Sequence, residues 1–124
     1  MARTFRKKRI PIDLIVIDFF HWPLMGDFRF DDGILARSEA MADELRRNGI
    51  RLMVSIWPQN RPAIRELREM RHHNYLAKTR QGKDVGMWWP RDNQFFDATN
   101  PAARDFVWEL CRKNYTDLAS TPSG

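Results

Sequence analysis

Cysteine is almost missing: Cys111 is the one thiol in 124 residues. An intrachain disulfide is therefore impossible, as is a zinc site built on clustered cysteines, and the sequence predicts a reduced, cytoplasmic setting. Long apolar runs are missing too. The longest, at residues 14–17, is a strand's length and far short of the roughly 20 residues of a membrane-spanning helix. The basic opening, Met1 to Arg9, leads into an isoleucine-rich segment bounded by Asp13 and Asp18, so no secretory signal is read. Six glycines supply neither a Gly-x-Gly-x-x-Gly nor a Walker phosphate loop. Repeats and low-complexity stretches are absent. What is present, 43% apolar and 30% charged residues, is the composition of one globular domain or of part of a larger one.

The net charge is +5, with 21 Lys and Arg against 16 Asp and Glu, and the pI is about 9.9. A nucleic-acid-binding chain would gather such charge on one face among aromatics. Here residues 3–9 form one short cluster. The other basic residues alternate with acids, as in Arg65-Glu66-Leu67-Arg68-Glu69, a pattern of solvated helix faces. Neither a nucleic acid nor a membrane is expected as partner.

Residues 10–20 and 50–57 read as strands with continuous apolar centres rich in branched residues, as in parallel sheets covered by helices. A helix lies between them, with Ser38 as N-cap, Met41 and Leu45 on one face, and Gly49 at the left-handed C-terminal position. A second helix is predicted over 62–72, striped by Ile64, Leu67 and Met70. Residues 75–79 and 84–88 then suggest a hairpin turning through Arg80-Gln81-Gly82-Lys83. The last helix starts from Asn100 as N-cap with Pro101 at its first position, and carries Phe106, Val107, Leu110, Cys111, Tyr115 and Leu118 on one face. The tail after it has no strand signal.

Two parallel strands alone leave an apolar sheet with both edges open. The sequence therefore predicts an α/β segment of a larger fold, or else an oligomer that completes the sheet between chains. In parallel α/β folds ligands bind beyond the carboxyl ends of the strands. Those ends are Asp18-Phe19-Phe20-His21-Trp22 and Ser55-Ile56-Trp57-Pro58. With a period of two, Asp18 and Phe20 share a face. A carboxylate among aromatics suits a sugar: the carboxylate accepts from hydroxyls, and rings stack on the apolar pyranose face. The loop around Trp88 and Trp89 is a further rim candidate. Other readings stand beside these, with Asp18 as a turn cap and Trp57 as strand-end packing. Asp97, near Thr99 and Asn100, reads as part of a turn and cap network. His72 and His73 are adjacent and cannot easily share an ion, His21 has no partner at ligand spacing, and Cys111 reads as core.

Four ordered stretches carry a resemblance. They are Arg9-Ile10-Pro11-Ile12-Asp13-Leu14-Ile15-Val16-Ile17-Asp18-Phe19-Phe20-His21-Trp22, Gly26-Asp27-Phe28-Arg29-Phe30-Asp31, Leu52-Met53-Val54-Ser55-Ile56-Trp57-Pro58, and Phe96-Asp97-Ala98-Thr99-Asn100-Pro101-Ala102-Ala103-Arg104. Together they resemble glycoside hydrolase family 31, most closely its bacterial α-xylosidase and α-glucosidase members, from about Phe5 to Leu118. The resemblance implies a partial (β/α)8 TIM barrel over residues 1–118: about two βα units, a loop hairpin and a C-terminal helix, then a non-family tail at 119–124. It implies hydrolysis of terminal α-linked sugars with retention, by a nucleophile and an acid/base set about 5–5.5 Å apart. No metal or cofactor is implied, the partner is an α-xyloside or α-glucoside, and the intact parent could be a homo-oligomer. Asp18, with Phe20 beside it, would contact sugar hydroxyls. Trp89 matches an aromatic walling the subsite of the non-reducing-end sugar, and Trp57 the Trp-Pro strand end of α-xylosidase-like members.

The departures bear on chemistry. In the family the nucleophile follows on the next strand, after the helix that ends here near Leu118, and the acid/base comes later still. Neither Asp18 nor Asp97 matches a catalytic position, so no catalyst is assigned within the chain and it is expected to be inactive alone. His72-His73-Asn74 stands where a turn with glycine is typical. The competing expectation is a small basic interaction module that self-associates or docks to a partner.

Overall fold

The structure, a computed structural model, describes residues 1–61, 64–87 and 93–119; the side chains of 35–37, 87 and 116–119 are outside that description. In chain order the elements are α1 (Ala2–Lys7), β1 (Leu14–Ile17), α2 (Asp32–Arg47), β2 (Arg51–Val54), β3 (Gln59–Asn60), α3 (Arg65–His72), β4 (Gly86–Met87), β5 (Asn93–Phe95) and α4 (Pro101–Ala119). β1 and β2 pair in parallel, Leu14 opposite Arg51 and Ile17 opposite Val54, with α2 as the crossover between them. β3, β5 and β4 form a separate antiparallel sheet in that order.

The core lies where α2, α3 and α4 meet the loop after β1. Leu67 and Met70 of α3 are fully buried, against Phe28, Phe30, Val107 and Tyr115. From the parallel sheet, Ile17, Leu52 and Val54 pack on this core. The opposite face is bare: Leu14 is 39%, Val16 43% and Met53 48% exposed. Burial on both faces, expected from the continuous apolar runs, is thus corrected to burial on one. The helices cover a single side, and among the described residues nothing lies over the other.

Helix ends follow local chemistry. α2 starts six residues before Ser38: Asp31 is its cap, accepting from the Gly33 N–H at 2.9 Å, while Ser38 is buried mid-helix and donates to the Ile34 carbonyl. A mid-helix serine that bonds back one turn imitates a cap in sequence. α2 closes as expected. Gly49 is left-handed (φ +67°), its N–H donates to Arg46 and that of Ile50 to Leu45, and both Leu45 and Ile50 are buried. The same closure recurs with other residues. Asn74 (φ +56°) ends α3, with Tyr75 N–H on the Met70 carbonyl, and Arg9 (φ +55°) ends α1, with Ile10 N–H on Phe5. Asn74 thus takes the left-handed site where a glycine is usual, as the short polar side chain of asparagine allows.

α1 is an element that the charge pattern concealed. Arg3 reaches Glu44 at 2.6 Å and Arg6 donates to the Asn48 carbonyl, so part of the basic cluster ties α1 to the end of α2. The hairpin exists at its tip, through the Lys78–Asp84 bridge and Thr79 N–H on Lys83, but it belongs to a larger sheet centred on β5. α3 begins at Arg65, and the expected start at Pro62 lies outside the described residues. At α4 the Asn100 side chain accepts from Ala102 N–H at 3.0 Å, as its capping role requires. The tail expected over 119–124 lies outside the description from residue 120 onward, Ala119 being the last residue of α4.

Candidate active-site rim

Asp18 follows β1 directly and Ser55 follows β2, with Ser55 N–H donating to the Ile17 carbonyl at 2.8 Å, so both strands open onto one rim. The Asp18 side chain is exposed there. Phe20 is 73% exposed and left-handed at φ +67°. A turn therefore presents Phe20, and the two-residue strand alternation invoked for Asp18 and Phe20 stops at Ile17. Phe19 links the parts: its ring meets Phe20 at 4.0 Å, Trp57 at 4.9 Å and Trp22 at 5.9 Å. Asp18, Phe20 and Trp57 thus come to one aromatic rim, whereas Trp89 lies outside the described residues. Between Trp22 and Trp57, with Asp27 and Tyr115 among its walls, there is only a shallow surface depression with no space that would hold a water molecule, and neither Asp18 nor Phe20 lines it. A carboxylate beside exposed rings on a shallow floor can take one face of a sugar and cannot enclose it.

Beneath the rim sits a residue that the sequence placed at the strand end and set aside as a metal ligand. His21 is 2% exposed. Its Nδ1 lies 2.9 Å from the Asp18 carbonyl and its Nε2 3.0 Å from the Tyr115 hydroxyl, on a helix 94 residues further on. A carbonyl can only accept, so Nδ1 carries the proton and Nε2 accepts from Tyr115. Burial lowers the basicity of His21, against the opposing pull of Asp18. Burial likewise raises the Tyr115 hydroxyl above its ordinary range, helped by Cys111 and Asp27, and pushes the Cys111 thiol up to about 11, which keeps it an inert core group. Tyr115 was legible as core from its helical spacing; a bond to a histidine 94 positions away has no sequence signal.

His21 gives a pH dependence. Its folded basicity is depressed, so the stability it contributes as a neutral ring is fully present above about 6.5, its ordinary value, and is lost as pH falls below that. The carboxylates Glu44, Asp97 and Glu109 are held below their ordinary values and act only in a more acidic window. Urea midpoints are thus expected to fall between about pH 7 and pH 5.5, and His21→Gln to flatten that fall. A midpoint constant or rising over this range contradicts the assignment.

Asp97 forms the turn network expected ahead of the Asn100 cap. Its Oδ1 accepts from the Thr99 N–H at 2.9 Å and the Thr99 hydroxyl at 2.6 Å, which holds its carboxyl below the usual range. His72 meets His73 edge to face and His73 stacks on Tyr75, and no group of three or more metal-ligating side chains occurs among the described residues.

Comparison with known proteins decides the family. Residues 1–121 match the model for the glycosyl hydrolases family 31 TIM-barrel domain. The chain belongs to glycoside hydrolase family 31. Within that family it is 44% identical to an α-xylosidase from a soil metagenome solved in complex with xylose, with a TM-score of 0.83 over 94% of this chain and 17% of that one. It is 29% identical to a xylosidase of Aspergillus niger, with a TM-score of 0.81 over 95% of this chain and 17% of that one. A family 31 glucosidase of Pseudescherichia vulneris, itself uncharacterised, is 39% identical over 117 residues, 94% of this chain and 22% of its own length. The chain thus spans about a fifth of these relatives and is a segment of the family 31 TIM-barrel domain.

Proposed function

We propose that this segment forms two consecutive βα units of the catalytic barrel of a retaining α-glycosidase of α-xylosidase or α-glucosidase type, and forms part of the wall that holds the terminal sugar. The convergence of Asp18, Phe20 and Trp57 beyond the carboxyl ends of β1 and β2 carries the reading. A relative 44% identical that was solved with xylose supports the same substrate class. In the intact enzyme one carboxylate attacks the anomeric carbon while a carboxylic acid protonates the departing oxygen; water then cleaves the glycosyl-enzyme with that second group as base. Within this chain Asp18 accepts sugar hydroxyls, Phe20 and Trp57 offer ring faces, and Trp89 adds a wall to the subsite. Neither catalytic carboxylate is assigned here, so the segment binds and positions without cleaving.

Aryl α-xyloside and aryl α-glucoside assays on the 124-residue chain are expected to show no turnover above buffer. Methyl α-xyloside is expected to shift the NMR signals of Asp18, Phe20 and the Trp57 indole. Turnover abolished by Asp18→Asn would overturn the claim that no catalyst is present. A folded chain whose rim signals ignore the sugar would overturn the binding role.

A further inference from the structure

The turn presenting Asp18 and Phe20 carries an internal strain. Phe20 is left-handed, a conformation strained for a non-glycine residue, and its ring is mostly exposed, so its own packing contributes little to holding it there. Such conformations persist only where the surroundings over-determine them. Two features do so. On one side Phe19 packs its ring on Trp57 and Trp22. On the other, His21 follows Phe20 directly, and its ring is locked from both ends: Nδ1 on the Asp18 carbonyl and Nε2 on the Tyr115 hydroxyl of α4. Trp22, Phe30 and Tyr115 close around the imidazole, and the His21 carbonyl accepts from the Asp31 N–H at 2.8 Å, at the cap of α2. An apolar side chain could fill the same space. The two polar contacts add direction, by tying the first residue of the turn to a helix from the far end of the chain.

We propose that His21 is a positioning residue for the sugar subsite: it braces the Asp18–Phe20 turn against Tyr115 and so sets how the carboxylate and the ring meet a terminal α-linked pyranose. The proposal rests on the reading of this rim as a sugar subsite, yet its structural half can be measured without sugar. His21 does not touch the reacting atoms; it acts through Asp18 and Phe20.

The test uses the full 124-residue chain by nitrogen-15 NMR with methyl α-xyloside as probe. The wild-type ring is expected to show a protonated Nδ1 and a hydrogen-bonded, unprotonated Nε2. His21→Ala is expected to move the HN–Hα coupling of Phe20 out of the left-handed range and to speed amide exchange at Phe19 and Phe20 about tenfold. His21→Asn, which keeps a donor for the Asp18 carbonyl, is expected to restore the coupling, whereas restored volume alone, in His21→Leu, is not. Xyloside affinity is expected to fall about tenfold in His21→Ala and by less in Tyr115→Phe, as one or two lost hydrogen bonds imply. A ring protonated on Nε2, or a Phe20 coupling unchanged in His21→Leu, overturns the proposal even if His21→Ala does not fold. Wild-type rim signals indifferent to the xyloside defeat the sugar reading instead, and the tautomer and coupling still decide the role of His21 as a brace.

Discussion

Leu67→Ala is expected to lower the thermal midpoint by roughly 10–20 °C or to abolish cooperative unfolding. Leu67 is fully buried on α3, facing the phenylalanines that follow β1 and the apolar side of α4. Removing three buried carbons costs about 2–5 kcal/mol, the lost transfer energy plus the cavity left behind. A domain of this size changes its midpoint by about 4 °C per kcal/mol. Total stabilities of domains are only about 5–15 kcal/mol, and here one face of the parallel sheet is left largely exposed, so the loss takes a large share. Trp108→Ala is the control: Trp108 is 64% exposed on α4, and its loss is expected to matter by about 0.5 kcal/mol at most. Equal shifts for the two variants, read by circular dichroism on heating, would mean that the core lies elsewhere.

Gly26→Ala is expected to be as damaging, for a different reason. Gly26 is at φ +84°, and a Cβ there would stand 2.5 Å from the Gln59 carbonyl oxygen and 2.6 Å from the Asn60 Cα. Both are backbone atoms of β3, which is paired to β5 and cannot yield without breaking that sheet. Strain and overpacking together cost on the order of 3–5 kcal/mol. Gly49 and Gly82 are also left-handed but face open space, so alanine at either costs only the conformational part, about 1–2 kcal/mol. Urea midpoints for the three variants separate the contributions. A Gly26→Ala loss no larger than that of Gly49→Ala would remove the close approach between the loop after β1 and β3.

How much of this was legible in sequence depended on how local the cause was. β1, β2 and α4 were read from apolar runs, from Pro58 and from the Asn100-Pro101 start, all of which act within a few residues. The closure of α2 at Gly49 was read in the same way. The start of α2 was not, because Ser38 has a capping side chain but spends it on Ile34, while the cap is Asp31. α1 was hidden because its sequence signature is charge, and the structure uses Arg3 and Arg6 to fasten it to α2. β5 escaped notice because a three-residue strand carries little pattern of its own and one of its two partners, β3, lies far earlier in the sequence. The rim was legible as a place, since the ends of parallel strands are short apolar runs that break into polar and aromatic residues. Its brace was not, because His21 and Tyr115 meet only after the chain has folded.

The proposed role makes this segment a working sugar-binding arc of a family 31 barrel. Its most direct test exchanges the segment into the soil-metagenome α-xylosidase, in place of the aligned stretch, and measures kcat/KM on an aryl α-xyloside. The prediction is a folded chimera that hydrolyses the xyloside and loses at least about 100-fold on Asp18→Ala, the scale of removing one polar group that stabilises a transition state. A folded chimera without turnover, or one indifferent to Asp18→Ala, would contradict it.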